Sequence, residues 1–311
     1  MRTVFCGTPE LAVPTLAAVA ERHEVAAVVC PPDKPQGRKG TPVPPPVKTW
    51  ALAHGLPVHQ PEKLNDGAFE AWLRELAPEV GVVAAYGRFL KQPILDLPPH
   101  GWLNMHPSLL PRWRGSSPIR SAVIHGDAET GASIMRITME MDAGDVLLQE
   151  ATPIGPDETA LELADRLAVL GAHLMTRALD LVARGEARFT PQDAARATYS
   201  KLLERSDGYI RWNRPAREIH NLVRGSLPWP TVQCGFRGQV CKVLRAAIVE
   251  TPAGAEPGVV VEATRDTVHV ATADLRLAIL EFQAPGKRAM RMDEFLRGHR
   301  IDAGDRFEDL A

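Results

Sequence analysis

The sequence predicts an α/β domain built on a mostly parallel sheet, followed by a smaller β-rich barrel domain. Short apolar runs at residues 3–6 and 25–30 flank a helical pattern at about 11–21, and this β–α–β order favours parallel strands with right-handed crossovers. After about residue 200 the apolar runs become short and are separated by Gly, Pro and Asp, which is typical of a small barrel. A length of 311 residues suits two domains, since one domain usually takes roughly 100–200.

The first domain is predicted to be Rossmann-like over residues 1–188, because strand and helix patterns keep alternating. Further strands are predicted at 80–85, 102–106 and 133–138, and helices at 47–54, 68–76 and 157–184. In the last helix, Thr159-x-x-Glu162 is a capping-box pattern and Gly185 stands where a C-terminal cap belongs. We expect a linker at 189–205 and a second domain at 206–311, with strands at 240–249, 258–261, 267–271 and 275–282.

Composition and charge exclude several classes of protein. The net charge of −2 argues against a polycation, although residues 200–250 hold nine basic and four acidic groups. No stretch approaches the ~18 apolar residues of a membrane helix, and the chain opens directly on a strand pattern, so we expect a cytoplasmic protein. The cysteines form no C-x-x-C pair and have no histidine at metal-ligand spacing, so we expect reduced thiols and no metal site. They are Cys6, Cys30, Cys234 and Cys241.

Asn104 and His106 stand two residues apart at the end of a predicted strand, so their side chains share one face. The carboxyl ends of parallel strands are where open α/β sheets bind ligands. An amide donor beside an imidazole can stabilise the oxyanion that develops when a carbonyl carbon is attacked, and the imidazole can exchange protons near neutral pH. Ordinary hydrogen bonding at a strand end is the alternative for such a pair.

Asp142 lies in the glycine-containing turn Met141-Asp142-Ala143-Gly144-Asp145, after the predicted strand at 133–138. A carboxylate close to His106 would raise the imidazole pKa and favour its protonated form. It could also help remove the proton that an attacking amine must lose. A simple turn is the alternative.

The combined pattern resembles the folate-dependent formyltransferases. It consists of Asn-x-His, then Ser-Leu-Leu-Pro-x-x-Arg-Gly, then Met-Asp-x-Gly-Asp, with Asp142 standing 36 residues after His106. The resemblance implies that Asn104, His106 and Asp142 are catalytic and that 10-formyltetrahydrofolate is the formyl donor, with no metal. It also implies a set of folate-binding residues, namely Ser108, Leu109, Leu110, Pro111, Arg88, Phe89 and Leu90.

Two segments are similar to the branch of this family that formylates initiator methionyl-tRNA for translation initiation. The chain opens with Phe-Cys-Gly-Thr-Pro, and residues 31–48 contain seven prolines and four basic residues, which suits a loop that approaches a nucleic-acid backbone. The resemblance implies that Arg38 is the key arginine of this loop and that the second domain is OB-like and binds tRNA. Candidate tRNA-binding residues are Lys34, Arg38, Lys39, Lys48, Arg211, Arg214, Arg217, Arg224 and Lys242. We expect a monomer.

Three other functions are considered. An amino-sugar formyltransferase shares the chemistry of the first domain, and an assay with a sugar-nucleotide amine would separate it. A dinucleotide-binding oxidoreductase is disfavoured because no G-x-G-x-x-G follows the first strand. A non-catalytic tRNA-binding protein leaves Asn104, His106 and Asp142 without a role.

Overall fold

The chain forms two compact units in a computed structural model that describes residues 1–36, 40–64 and 67–310. The first unit contains residues 1–118, 130–153 and 164–200. The second contains residues 119–129, 154–163 and 201–311. The change of unit after residue 200 lies inside the predicted linker, whereas the two short segments that group with the second unit had no signal in the sequence.

A seven-stranded sheet organises the first unit. The strands of this unit are β1 (Arg2–Gly7), β2 (Glu24–Val29), β3 (Lys34–Gln36), β4 (Thr41–Val43), β5 (Val58–His59), β6 (Val80–Ala84), β7 (Trp102–His106), β8 (Arg114–Gly115), β9 (Glu129–Arg136), β10 (Val146–Pro153) and β11 (Tyr199–Ser200). The sheet has the order β10-β9-β7-β6-β1-β2-β5. Its pairs from β7 to β5 are parallel, and β7 pairs with β9 in antiparallel fashion. The predicted mostly parallel sheet is confirmed.

Apolar clusters cover both faces of this sheet. The helices of the chain are α1 (Val13–Arg22), α2 (Pro46–Ala53), α3 (Ala68–Leu76), α4 (Gln92–Leu95), α5 (Pro118–Ile124), α6 (Ala160–Ala183), α7 (Ala216–Gly225) and α8 (Met292–Leu296). One cluster joins Leu103 and Met105 of β7 to Met175 of α6, and the other joins Trp102 of β7 to Leu73 of α3. Burial on both faces explains why the central strand β6 is apolar at every residue rather than alternating.

Helix α6 begins and ends with the caps that its sequence predicts. The Thr159 N–H donates to Glu162 Oε2 at 2.8 Å, and the Glu162 N–H donates to Thr159 Oγ1 at 3.2 Å. The pair satisfies N–H groups that the first helical turn leaves without partners. Gly185 follows the helix with φ +69°, which glycine adopts without a Cβ clash.

The second unit contains a curled antiparallel half-barrel. Its strands are β12 (Val232–Phe236), β13 (Gln239–Pro252), β14 (Val260–Ala263), β15 (Val268–Ala271), β16 (Leu275–Gln283), β17 (Met290–Arg291) and β18 (Phe307–Glu308). The order is β14-β15-β16-β13-β12-β18, with β17 beside β16. The last residues bridge the two ends of this sheet, because the Phe307 N–H donates to the Gly258 carbonyl at 2.8 Å while Phe307 also pairs with Phe236 of β12. Trp212, Phe282 and Phe307 fill the interior.

The four cysteines are buried and form no disulfide. Among the described residues, no helix is long and apolar enough to cross a membrane.

Candidate active site

Strand β7 carries Asn104 and His106 to the carboxyl edge of the sheet. Asn104 pairs with Val83 of β6, and His106 pairs with Ser133 of β9. Leu103 and Met105 point into the cluster that contains α6, so Asn104 and His106 share the opposite face. The structure therefore brings the two side chains to one face at the edge where ligands of such sheets bind.

Both ring nitrogens of His106 face oxygen atoms. Nε2 donates to the Trp113 carbonyl at 2.9 Å, and Nδ1 lies 3.6 Å from Asp142 Oδ2. The ring is 4% exposed. Burial lowers the pKa of His106, and the Asp142 carboxylate and the Trp113 carbonyl oppose that change. The Asp142 carboxylate acts in the direction expected for it, and burial of the ring outweighs it, so the pKa of His106 is lowered overall.

Asp142 lies in the turn between β9 and β10, and its φ of +50° belongs to the left-handed region. Its Oδ2 atom accepts a hydrogen bond from the Gly115 N–H at 2.7 Å. The turn thus directs the carboxylate at the loop that follows His106, and the two predicted catalytic residues meet although 36 positions separate them in the sequence.

The Asn104 amide is the donor that the site leaves available. The residue is half-buried, and no group among the described parts of the chain hydrogen-bonds to its side chain. An unpaired amide next to an imidazole can donate to a carbonyl oxygen of a ligand as that oxygen gains negative charge.

The loop after His106 is held by hydroxyl groups. Ser108 is fully buried, and its Oγ donates to the Arg112 carbonyl at 2.6 Å. Ser133 Oγ donates to the Ser108 carbonyl at 2.6 Å. Leu110 is buried, whereas Leu109 and Pro111 remain partly exposed. Ser108 and Leu110 therefore shape the predicted folate loop from inside, and Leu109 and Pro111 are the members that a ligand can reach.

A second loop, residues 85–90, follows β6 at the same edge of the sheet. The Tyr86 carbonyl accepts from Thr8 Oγ1 at 2.8 Å, which ties this loop to the one after β1. Arg88 Nη1 donates to the Pro61 carbonyl at 2.7 Å, so this guanidinium holds a neighbouring loop. Phe89 is 50% exposed and Leu90 is buried. Phe89 is thus the apolar surface that the predicted folate loop presents.

Several residues that hold the site were missed from the sequence. The Trp113 N–H donates to Thr198 Oγ1 at 2.9 Å, and the Ser117 N–H donates to Ser200 Oγ at 3.0 Å. The Gln192 amide contacts the turn of Asp142. All three partners lie in the segment predicted to be a linker, and a lone Ser, Thr or Gln there carries no local motif.

The predicted tRNA-binding residues of the first unit fall into three groups. Lys34 is exposed on β3, which forms a hairpin with β4. Lys48 pairs with Asp33 at 2.8 Å, so its charge is already compensated. Arg38 and Lys39 lie outside the described residues.

In the second unit, four predicted residues line one cleft of about 750 Å³. Three of them, Arg211, Arg214 and Arg217, are exposed. Lys242 is half-buried on β13. Arg224 differs, because its guanidinium is buried and donates to the carbonyls of Gly155 and Glu158 at 3.1 and 2.8 Å. Its charge thus holds a loop of the second unit, and the tRNA contact predicted for Arg224 stays a prediction.

Comparison with known proteins gives a consistent assignment over nearly the whole chain. Residues 1–179 match the family model described as formyl transferase, and residues 202–300 match the one described as formyl transferase, C-terminal domain. A methionyl-tRNA formyltransferase of Moorella thermoacetica is 45% identical over 306 residues, which cover 98% of each chain. Two solved structures share the fold. The sugar 3N-formyl transferase WlaRD has a TM-score of 0.68 at 16% identity, covering 93% of this chain and 99% of that one. HypX from Aquifex aeolicus, solved in complex with tetrahydrofolic acid, has a TM-score of 0.66 at 17% identity, covering 98% of this chain and 50% of that one.

Proposed function

Because this chain belongs to the formyl transferase family, we infer that it transfers a formyl group to the α-amine of methionine carried on initiator tRNA, for translation initiation. A curated relative of nearly the same length and 45% identity carries that activity in its name. The formyl donor of this chain is a formyl-tetrahydrofolate, and we propose that it is 10-formyltetrahydrofolate. An enzyme acting on charged initiator tRNA works where translation occurs, so we propose the cytoplasm as its location.

The observation that carries the catalytic assignment is the placement of His106 beside Asp142 at the carboxyl edge of the sheet, with Nδ1 of the ring 3.6 Å from the carboxylate. Asn104 lies two residues before His106 on the same face of β7, and its amide is unpaired among the described residues. We propose that these three residues are catalytic.

The folate co-substrate supplies the formyl carbon, and the chain supplies a donor and a proton acceptor. As the amine nitrogen forms its bond to that carbon, Asn104 donates to the formyl oxygen, which gains negative charge. The neutral His106 imidazole takes the proton that the amine loses, and the Asp142 carboxylate stabilises the resulting imidazolium. The pair then returns the proton to the folate nitrogen as its bond to the formyl carbon breaks. A lowered His106 pKa keeps the ring ready to accept this proton at neutral pH.

The folate is proposed to bind along the two loops that end β6 and β7. Arg88, Phe89 and Leu90 come from the first loop, and residues 108–111 come from the second. The half-exposed Phe89 ring suits contact with a flat aromatic ligand, while the hydrogen bonds of Ser108 and Arg88 keep the loop backbones in place.

The tRNA is proposed to contact two basic surfaces. One is the proline-rich segment with Lys34, Arg38 and Lys39. The other is the arginine cleft of the second unit, formed by Arg211, Arg214 and Arg217, together with Lys242 on β13. In this proposal residues 1–188 perform the chemistry, residues 206–311 bind tRNA, residues 189–205 connect them, and the enzyme acts as a monomer.

A formylation assay tests the function directly. The protein is incubated with 10-formyltetrahydrofolate and one of three amines: charged initiator tRNA, charged elongator tRNA or a sugar-nucleotide amine. Formyl methionine on initiator tRNA is the expected product, whereas transfer to the sugar amine alone would reassign the substrate. In parallel, His106→Ala is expected to lose most single-turnover transfer while still binding tRNA, and near-normal transfer would defeat the catalytic assignment.

A further inference from the structure

The side chain of Gln192 connects the turn of Asp142 to the loop that follows His106. Its Nε2 donates to the carbonyl oxygens of Asp142 and Gly144 at 2.8 and 2.7 Å. Its Oε1 accepts from Nε and Nη2 of Arg114 at 3.1 and 2.9 Å. All these residues belong to the first unit. Both N–H groups of the Gln192 amide therefore donate to the turn of Asp142, and its oxygen accepts from Arg114 in the loop after His106.

These hydrogen bonds form a closed ring around the catalytic carboxylate. Arg114 is followed by Gly115, whose N–H donates to Asp142 Oδ2 at 2.7 Å. Gln192 completes the ring by joining the Arg114 guanidinium to the Asp142 carbonyl. Arg114 is 3% exposed, so its charge depends on acceptors within the protein. The Gln192 Oε1 atom accepts from two of its nitrogens, and the Glu140 carboxylate lies 3.5 Å from Nη1.

The turn that Gln192 holds is strained at its catalytic residue. Asp142 has φ +50°, and a side chain other than glycine in the left-handed region persists only where its surroundings hold it. Two residues later, a Cβ at Gly144 would lie 1.8 Å from the Arg136 carbonyl oxygen, so the turn packs tightly against β9. Because Gln192 bonds the carbonyls on both sides of Ala143, it fixes the direction in which the Asp142 side chain leaves the backbone.

We propose that Gln192 is a positioning residue of the formyl transfer reaction, which holds the turn so that the Asp142 carboxylate faces His106. This role rests on the proposed function, and it places no part of Gln192 on a substrate. Gln192 acts only through Asp142.

The test replaces Gln192 with methionine, which keeps the chain length and removes both polar groups. The single-turnover rate with methionyl-tRNA is expected to fall roughly 10- to 100-fold, since small misplacements of a catalytic group have effects of that size. The KM values for tRNA and folate should stay within about twofold. In an Asp142→Ala background, Gln192→Met should change the rate by less than about threefold, because no carboxylate remains to position. A wild-type rate in the single variant, or an equal loss in both backgrounds, would overturn the proposal.

A second variant and a control separate positioning from folding. Gln192→Glu keeps the acceptor for Arg114 and removes the donor to the two carbonyls, so it should also lose rate. Full activity in Gln192→Glu refutes the role, and this variant decides the question if Gln192→Met fails to fold. Gln233 is a buried glutamine of the second unit that also accepts from an arginine, and Gln233→Met should transfer at close to the wild-type rate. Absence of transfer in the wild type would defeat the proposed function itself, whereas active wild type with active Gln192 variants would defeat only the positioning role.

Discussion

Replacing Asp142 with asparagine removes a negative charge from beside His106 while leaving an oxygen that can accept from the Gly115 N–H. In the proposed mechanism the imidazole becomes cationic as it takes the amine proton, so the carboxylate stabilises the transition state more than the resting enzyme. The relevant atoms, His106 Nδ1 and Asp142 Oδ2, lie 3.6 Å apart.

The size of this effect follows from that separation. Two unit charges at such a distance interact by about 4 kcal/mol at an effective dielectric constant of about 20. Each 1.36 kcal/mol changes a rate about tenfold, so Asp142→Asn should slow transfer by up to about 10³-fold. The pH dependence has a definite sign. The ring must start unprotonated, so activity falls as the pH drops through its lowered pKa. Without the carboxylate that opposes the burial effect, this pKa drops further, and the acid limb moves to lower pH.

The assay is single-turnover transfer from 10-formyltetrahydrofolate to methionyl-tRNA at saturating substrates, measured from about pH 5 to pH 8. Asp145→Asn removes the same charge from the same turn without touching His106, and it should stay within about twofold of wild type. An Asp142→Asn rate within about threefold of wild type, or an acid limb that stays in place or moves to higher pH, would refute the electrostatic role.

Other substitutions test the remaining parts of the site. Asn104→Ala should lower the transfer rate roughly 10²- to 10³-fold with little change in KM, as expected for loss of an oxyanion donor, and steady-state kinetics would show a binding role instead if only KM rose. Arg38→Ala should lower kcat/KM for methionyl-tRNA far more than it weakens folate binding. The loss should also exceed that of Lys48→Ala, because the Lys48 ammonium already pairs with Asp33. Equal kinetics for both variants and the wild type would show that the loop is not part of the tRNA surface. Neutralising Arg214 or Arg217 should reduce the slope of log tRNA affinity against log salt by about 1 each, and unchanged slopes would exclude the cleft.

Hydrophobic periodicity predicted most of the fold, because the strands and helices bury apolar residues at regular spacing. Helix α3 was predicted with its observed bounds, and β7 likewise, since the apolar residues of α3 recur at helical spacing and β7 is a short, mostly buried run. The long helix was predicted at 157–184 and begins at Ala160, because Thr159 serves as its cap. The grouping of residues 119–129 and 154–163 with the second unit was missed, since it depends on contacts between segments far apart in the chain.

The sequence pattern named the three residues of the candidate site, whose catalytic roles stay predictions, but it did not predict the electrostatics of the site. Period-2 spacing placed Asn104 and His106 on one face, and the motif pattern drew attention to Asp142. The sign of the His106 pKa shift could not be read from the sequence, because it depends on how completely the ring is buried relative to the effect of one carboxylate. Desolvation grows with every atom packed around the ring, whereas the opposing interaction comes from a single group 3.6 Å away.

The basic residues show why the number of charged residues in a segment limits the candidates for a binding surface but does not identify its members. Residues 200–250 carry an excess of positive charge, yet the guanidinium of Arg224 in that segment donates hydrogen bonds to two carbonyls inside the second unit. Removing it would take a charged donor away from each of those carbonyls, so Arg224→Ala should destabilise the fold, and any loss of tRNA binding would follow from that. Arg217 lies seven residues earlier on the same helix and is exposed, so its replacement should weaken tRNA binding while leaving the melting temperature unchanged. We would measure the melting temperature and the salt dependence of tRNA affinity for both variants on the same preparations. The two measurements separate an arginine that stabilises the fold from one that binds tRNA. The same behaviour in both variants would contradict this distinction.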